Sequence, residues 1–226
     1  MKYVYLFGNG SADGDAEMKN TLGGKGANLA EMNHLGIPVP PGFTITTEVC
    51  SYYYDNNKNF PEELDSELQN ALTATEEIMG SKFGDSTDPL LVSIRSGARQ
   101  SMPGMMETVL NVGLTSKTIP GLIEKTGNAR FVYDAYRRLI MMYADVVMEK
   151  AAGIEPESNK GIRHKLESLI DQHKEENNYK NDTDLNADDW KLLSEKFKNE
   201  IENTLENKFP DDPMEQLLGG IKAVFE

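Results

Sequence analysis

Cysteine is almost missing from this sequence. A single thiol, Cys50, in 226 residues excludes an internal disulfide and fits a reducing compartment. Its apolar and tyrosine neighbours suit a core or half-buried thiol better than a reactive one. The three histidines, His34, His164 and His173, are scattered and have no cysteine nearby, so the spacing offers no zinc site. No apolar run approaches the roughly 20 residues that span a bilayer. The opening MKYVYLFG carries neither an apolar signal core nor an arginine-rich presequence, and a cytoplasmic protein is expected. Positive charge is also short. Lys and Arg total 23 against 37 Asp and Glu, a net charge of -14, which argues against nucleic acid or membrane as partner. With only six arginines in the chain, their positions are informative.

What is present is an orderly alternation. Residues 3–7, YVYLF, read as a β-strand followed by a turn region through Asp15. Residues 22–35 are helical in pattern, with Leu22, Leu29, Met32 and Leu35 near one face and Gly36 as the stop. IPVPPGFTITT breaks any helix, and residues 43–46 are extended. A helix starts at Thr47 and another runs over 62–80, lined by Leu64, Leu68, Leu72 and Met79. LLVSI at 90–94 reads as a buried strand and TVLNVG at 108–113 as another, so this part is expected to be an α/β layer.

After Gly113 the texture becomes helical. Segments 119–125, 130–150 and 162–173 have helical periodicity, and 174–184 reads as a loop. A helix then starts at Asn186, with Leu185 as staple, Asp189 as the acidic third residue and Leu193, Phe197, Ile201 and Leu205 recurring every four positions. In the last helix Asp212 caps, Pro213 takes the first position and Glu215 the third. Its apolar residues Met214, Leu217, Leu218, Ile221 and Val224 need a partner surface, and the sequence stops inside this pattern at Glu226.

Three constellations can carry chemistry. In LGGKGANLAEM, Gly23, Gly24 and Gly26 surround Lys25 at a helix start. Close backbone approach, free amides and a flexible cation suit a phosphate, although the P-loop spacing is missing and a purely structural glycine cluster is an alternative. In LLVSIRSGARQSMPGMMETVL an apolar strand delivers Arg95 and Arg99 into a loop of small residues. Planar donors on an approachable backbone suit a phosphorylated ligand; the alternative is a pair of arginines tying the loop to carboxylates. Met102, Met105 and Met106 beside Pro103-Gly104 either contact a purine or fill a core, and Glu107 follows them. Arg130, Arg137 and Arg138 share one side of a helix with aromatic residues, a pattern that suits packing better than RNA.

These segments, together with LGIPVPPGFTITTEVC and ARFVYDAYRRLIMMYADVV, resemble the amino-terminal nucleotide-binding region of the pyruvate phosphate dikinases. The resemblance implies an ATP-grasp-like α/β (α+β) fold, with a short mixed sheet, packed helices and an inserted all-helical subdomain. Its expected division is 1–112 for the first α/β part, 113–195 for the helical subdomain and 196–226 for the return helices. Such enzymes convert ATP, phosphate and pyruvate to AMP, diphosphate and phosphoenolpyruvate through a phosphohistidine on a separate swivelling domain. By the resemblance Lys25 and Arg95 hold ATP phosphates and are catalytic, and Arg137 is a further phosphate contact. Arg99, Met102, Gly104, Met106 and Glu107 are candidate loop contacts.

The resemblance further implies Mg2+ and a homodimer, with metal ligands, histidine domain and pyruvate barrel outside this sequence. A fragment with little activity of its own is therefore expected. The alternatives are a phosphoenolpyruvate synthase piece and a non-catalytic module associating through the last helix.

Overall fold

The computed structural model describes residues 1–97, 108–157 and 160–226. Its elements are β1 (Val4–Gly8), β2 (Ser11–Ala12), α1 (Lys19–His34), β3 (Gly42–Ile45), α2 (Thr47–Asp55), α3 (Glu62–Met79), β4 (Lys82–Phe83), β5 (Pro89–Leu90), β6 (Val92–Ile94), β7 (Val109–Val112), α4 (Ile119–Thr126), α5 (Ala129–Tyr143), α6 (Ile162–Asn177), α7 (Ala187–Leu205) and α8 (Pro213–Phe225). The described residues are α/β, with eight helices and small sheets. They form two compact units, one of residues 1–82, 96–97 and 225, the other of 83–95, 108–157, 160–224 and 226.

In the first unit β1 is the middle strand of the order β2-β1-β3. Tyr5 faces Thr44 and Leu6 faces Phe43 across the β1–β3 ladder. The β1–β2, β1–β3 and β6–β7 ladders are all antiparallel, so the mixed pairing expected from the sequence is not found in them. The Glu67 carboxylate of α3 accepts the backbone N–H groups of Tyr3 (2.7 Å) and Val4 (2.8 Å) and anchors the start of β1.

The helical stripes are largely as the periodicity predicts, with two corrections. On α3, Leu64, Leu68 and Leu72 are buried but Met79, at the last turn, is half exposed. On α1 the buried residues are Leu22, Gly23, Gly26, Ala27, Ala30 and Asn33, while Leu35 is exposed. Gly23 adopts φ 67°, ψ 170°, which interrupts the helix and resets the phase of everything after it. The face then buried is one of small residues. A Cβ on Gly26 would lie 2.6 Å from Thr44 Cγ2, so α1 approaches β3 more closely than any other residue would permit.

In the second unit the β6–β7 ladder is irregular between Val92 and Ile94. The single strand expected over 90–94 is divided into β5 and β6. The helical core sets Val132, Tyr136, Leu139 and Ile140 of α5 against Trp190, Leu193, Phe197 and Ile201 of α7, all fully or nearly fully buried. Helix α5 continues as a π-helix over Ala144–Lys150, whose wider turn accompanies burial of Asp145 and Glu149. Glu149 uses that burial to accept the Ile162 N–H at 2.8 Å at the start of α6.

The loop expected over 174–184 is shorter than the sequence suggests. Helix α6 runs on to Asn177, and Asp182–Asp184 form a 3-10 turn, because the Asp184 carboxylate accepts the Lys180 and Asn181 amides. The start of α7 is the expected capping box of Asn186 and Asp189, and Asp212 caps α8 by accepting the Met214 and Glu215 amides. The apolar face of α8 finds its partner inside the chain. Leu217 and Ile221 are buried and Leu218 is left half exposed, while Gln216, with no exposed surface, joins α8 to the turn after β7. Its Oε1 accepts the Gly113 N–H at 2.9 Å, and its Nε2 donates to the Leu114 and Pro210 carbonyls at 2.9 and 3.0 Å.

Candidate functional site

The residues of LGGKGAN come together around the break at Gly23. A helix that restarts after an extended residue presents a new set of first-turn N–H groups without i-4 carbonyls, and these carry the positive end of the helix dipole. Lys25 lies in that first turn with an exposed side chain. Its Nζ donates to the Ser96 carbonyl at 2.7 Å. Ser96 itself is buried and directly follows Arg95 in the chain. Helix α1 is pinned by two further contacts, the Thr47 hydroxyl donating to Asn20 O at 2.5 Å and the His34 ring nitrogen paired with Gly14 O at 2.9 Å. A backbone held this firmly keeps amides and ammonium in place for an anion.

Arg95 directly follows β6 in the second unit, with an exposed side chain. No ion pair among the described residues engages it. Arg99, Met102, Gly104, Met106 and Glu107 lie outside the described residues.

Arg137 belongs to the second unit as well and lines a cleft of about 520 Å³. The wall of that cleft also includes Arg138, Arg163, Lys174, Asp182 and Asn111, over an apolar floor that includes Met141 and Ile170. The Arg137 side chain is only 13% exposed. Its Nε donates to Asp134 Oδ1 at 2.8 Å, its Nη2 lies 3.6 Å from Asp182 Oδ2, and its guanidinium stacks 4.5 Å from the ring of Trp190. Arg138, by contrast, is 60% exposed and reaches Asp134 Oδ2 at 3.0 Å. Lys174 is shared between Asp171 and Asp182; the Asp171 carboxylate first, then Asp182, raises its ammonium above the usual lysine range against the opposing effect of burial. Arg130 has a structural task instead, donating to the Leu185 and Asp182 carbonyls at 2.7 and 2.9 Å.

Lys25 thus stands in one unit, and Arg95 and Arg137 in the other. The sequence reading overlooked Asp134, Asp182 and Ser96. Asp134 was within reach of it, since spacings of three and four residues place it on the helix face of Arg137 and Arg138. Nothing in the sequence marks a main-chain carbonyl as the partner of Lys25. Cys50 is half buried, and burial pushes its thiol up, which suits an unreactive role. Among the described residues no three carboxylate, imidazole or thiol groups converge as a metal site. No described helix is long and apolar enough to cross a membrane.

Comparison with known proteins places this arrangement. Residues 19–65, which contain the Gly23 break, Lys25 and Gly26, match the family model described as "Pyruvate phosphate dikinase, AMP/ATP-binding domain". The whole chain is similar to curated relatives. It is 51% identical over 225 residues to the pyruvate, phosphate dikinase of Clostridium symbiosum, covering 99% of this chain and 24% of that protein. It is 46% identical to the Rhizobium meliloti enzyme, with the same coverages. To the chloroplastic enzyme of Flaveria trinervia it is 46% identical over 226 residues, covering 100% of this chain and 22% of the relative. The chain therefore spans about a quarter of the length of these relatives. With half of its residues shared along the full alignment, and the glycine-rich helix start inside the matched domain, the chain is similar throughout its length to the corresponding quarter of the pyruvate, phosphate dikinases.

Proposed function

We propose that this chain supplies one part of the ATP-phosphate site of a pyruvate phosphate dikinase, the enzyme that phosphorylates a histidine from ATP and passes that phosphoryl group to pyruvate. The observation that carries the reading is the interruption of α1 at Gly23, which sets Lys25 in a renewed first helical turn within the residues matching the AMP/ATP-binding domain. Phosphoryl transfer asks the protein for concentrated positive charge and fixed positions rather than a reactive side chain. Lys25 is assigned to the ATP phosphates on that ground, and Arg95 and Arg137 are assigned to the same task by their family resemblance.

The reading also carries an ATP-grasp arrangement with the division 1–112, 113–195 and 196–226. It carries Mg2+ bound with ATP by residues other than those described here, a cytoplasmic setting, and a phosphohistidine and pyruvate-binding partner region in a homodimeric enzyme.

The test is Lys25→Ala and, separately, Arg95→Ala in the full-length enzyme, with transfer of radiolabelled phosphate from ATP to the protein histidine as readout. Each is expected to slow the transfer at least a hundredfold, consistent with loss of a cation that stabilises developing charge. Transfer at the wild-type rate in Lys25→Ala would remove the helix start from the mechanism.

A further inference from the structure

Asp134 does something that neither arginine beside it can do alone. It is one carboxylate, 18% exposed, and it holds two consecutive guanidinium groups, accepting from Arg137 Nε at 2.8 Å through Oδ1 and ion-paired with Arg138 Nη2 at 3.0 Å through Oδ2. The two arginines line the same cleft of about 520 Å³, a volume typical of a small-molecule site. Arg137 is braced on further sides by Asp182 at 3.6 Å and by the face of Trp190 at 4.5 Å. Arg138 has most of its surface exposed, and of the two it is the one with donors to spare.

A long arginine on a helix loses rotamer entropy when it binds. A carboxylate that already fixes two of them has met that cost before any ligand arrives. Fixed guanidinium forks match the oxygen geometry of phosphoryl and carboxylate groups. Of the other charges facing the cleft, Glu167 pairs with Arg163, Asp171 with Lys174, and Asp182 with both Lys174 and Arg137.

We propose that Asp134 is a positioning residue that presents the Arg137–Arg138 pair to a phosphoryl anion in this cleft. The inference rests on the reading that the chain holds ATP phosphates, and it adds the residue that orders the arginines.

The experiment uses a reporter the chain already carries. Trp190 is the single tryptophan, fully buried and in contact with the Arg137 guanidinium, so its emission reports on that group. ATP and, in a second arm, inorganic phosphate are titrated into the full-length enzyme, any other tryptophans replaced by phenylalanine, at constant ionic strength. A saturable change in Trp190 emission is expected with ATP, and saturation by inorganic phosphate as well would identify a bare phosphate as sufficient. Asp134→Asn should raise the titration midpoint about tenfold, and Asp134→Glu should return it to within about threefold of wild type. Arg138→Ala, at an exposed position that folding tolerates, should weaken binding to a similar extent.

No saturable change in wild type, or an unmoved midpoint in Asp134→Asn accompanied only by a lower Tm, would overturn the proposal. The two readings fail separately. If Lys25→Ala stops phosphotransfer in the full-length enzyme while the Asp134→Asn midpoint is unmoved, only the positioning role falls. If Lys25→Ala leaves phosphotransfer intact, the assignment of the ATP site falls instead.

Discussion

Replacing Gly26 with alanine tests the closest helix–strand approach in the first unit. The added Cβ would sit 2.6 Å from Thr44 Cγ2, 2.9 Å from Thr44 Oγ1 and 3.1 Å from Leu22 Cβ, where ordinary contact begins near 3.4 Å. Relief requires α1 to withdraw by most of an ångström or Thr44 to leave its rotamer. Overpacking of this kind costs about 1–3 kcal/mol. Alanine returns roughly 1 kcal/mol through helix propensity, leaving a net loss of about 1 kcal/mol, or about 2–4 °C in Tm for a chain of this size. Thr44→Ala removes both offending atoms, so the double variant is expected to lose at least 0.5 kcal/mol less than the two single losses added together. Thermal unfolding of the four proteins, wild type included, measures this coupling. Strict additivity, or a single Gly26→Ala variant more stable than wild type, would refute the tight approach. The outcome also bears on function, since Lys25 is the adjoining residue and its 2.7 Å bond to Ser96 O would not survive withdrawal of the helix.

Other consequences follow from groups that hold backbone. Glu67→Ala deletes two charge-assisted bonds to the start of β1 and is expected to cost about 2–3 kcal/mol in urea denaturation. Glu67→Gln should lose about half as much, and equal losses in the two would argue against the bonds. Gln216→Leu keeps the volume but leaves the Gly113 amide and the Leu114 and Pro210 carbonyls without that partner, for about 3 kcal/mol, a Tm fall of roughly 6–12 °C; a fall below 2 °C would show that water or a neighbour replaces it.

At Asp189, burial pushes the carboxyl up, but the Asn186 amide, the His173 ring and Tyr179 together hold it below the usual carboxylate range. Its folded pKa therefore lies below the unfolded one, about 3.9, and its stabilisation is complete above that value and lost as pH falls through the folded pKa. The stability gap between wild type and Asp189→Asn should accordingly be full at pH 7 and shrink below about pH 4. A gap of constant size over that range would contradict the assignment.

Local chemistry was the most legible part of this protein. The caps at Asn186 and Asp212 and the stripes of α3 and α7 follow from side chains acting within one or two turns, and these interactions are written in adjacent residues. The failures share a cause in longer-range or backbone effects. Leu35 is exposed because α1 ends at His34 and Leu35 sits at its C-cap, beyond the packed face. The strand over 90–94 divided because its pieces pair with different strands, β5 with β4 and β6 with β7, and α6 outran its expected end.

Of the candidate site, residue types alone marked Lys25 and Arg95 as suited to phosphate, the order of the motifs indicated the family, and only that resemblance added Arg137. Their surroundings required the fold. Only tertiary structure shows that Lys25 is bonded to the Ser96 carbonyl, that Arg137 is braced by Asp134, Asp182 and Trp190, and that the apolar face of α8 is covered from within the chain. Charge, size and periodicity are properties of a residue and its near neighbours, and the sequence determines them by itself. Which donor meets which acceptor across sequence separations of 45 or 71 is decided by packing, because only burial in a shared core brings such groups within hydrogen-bond distance.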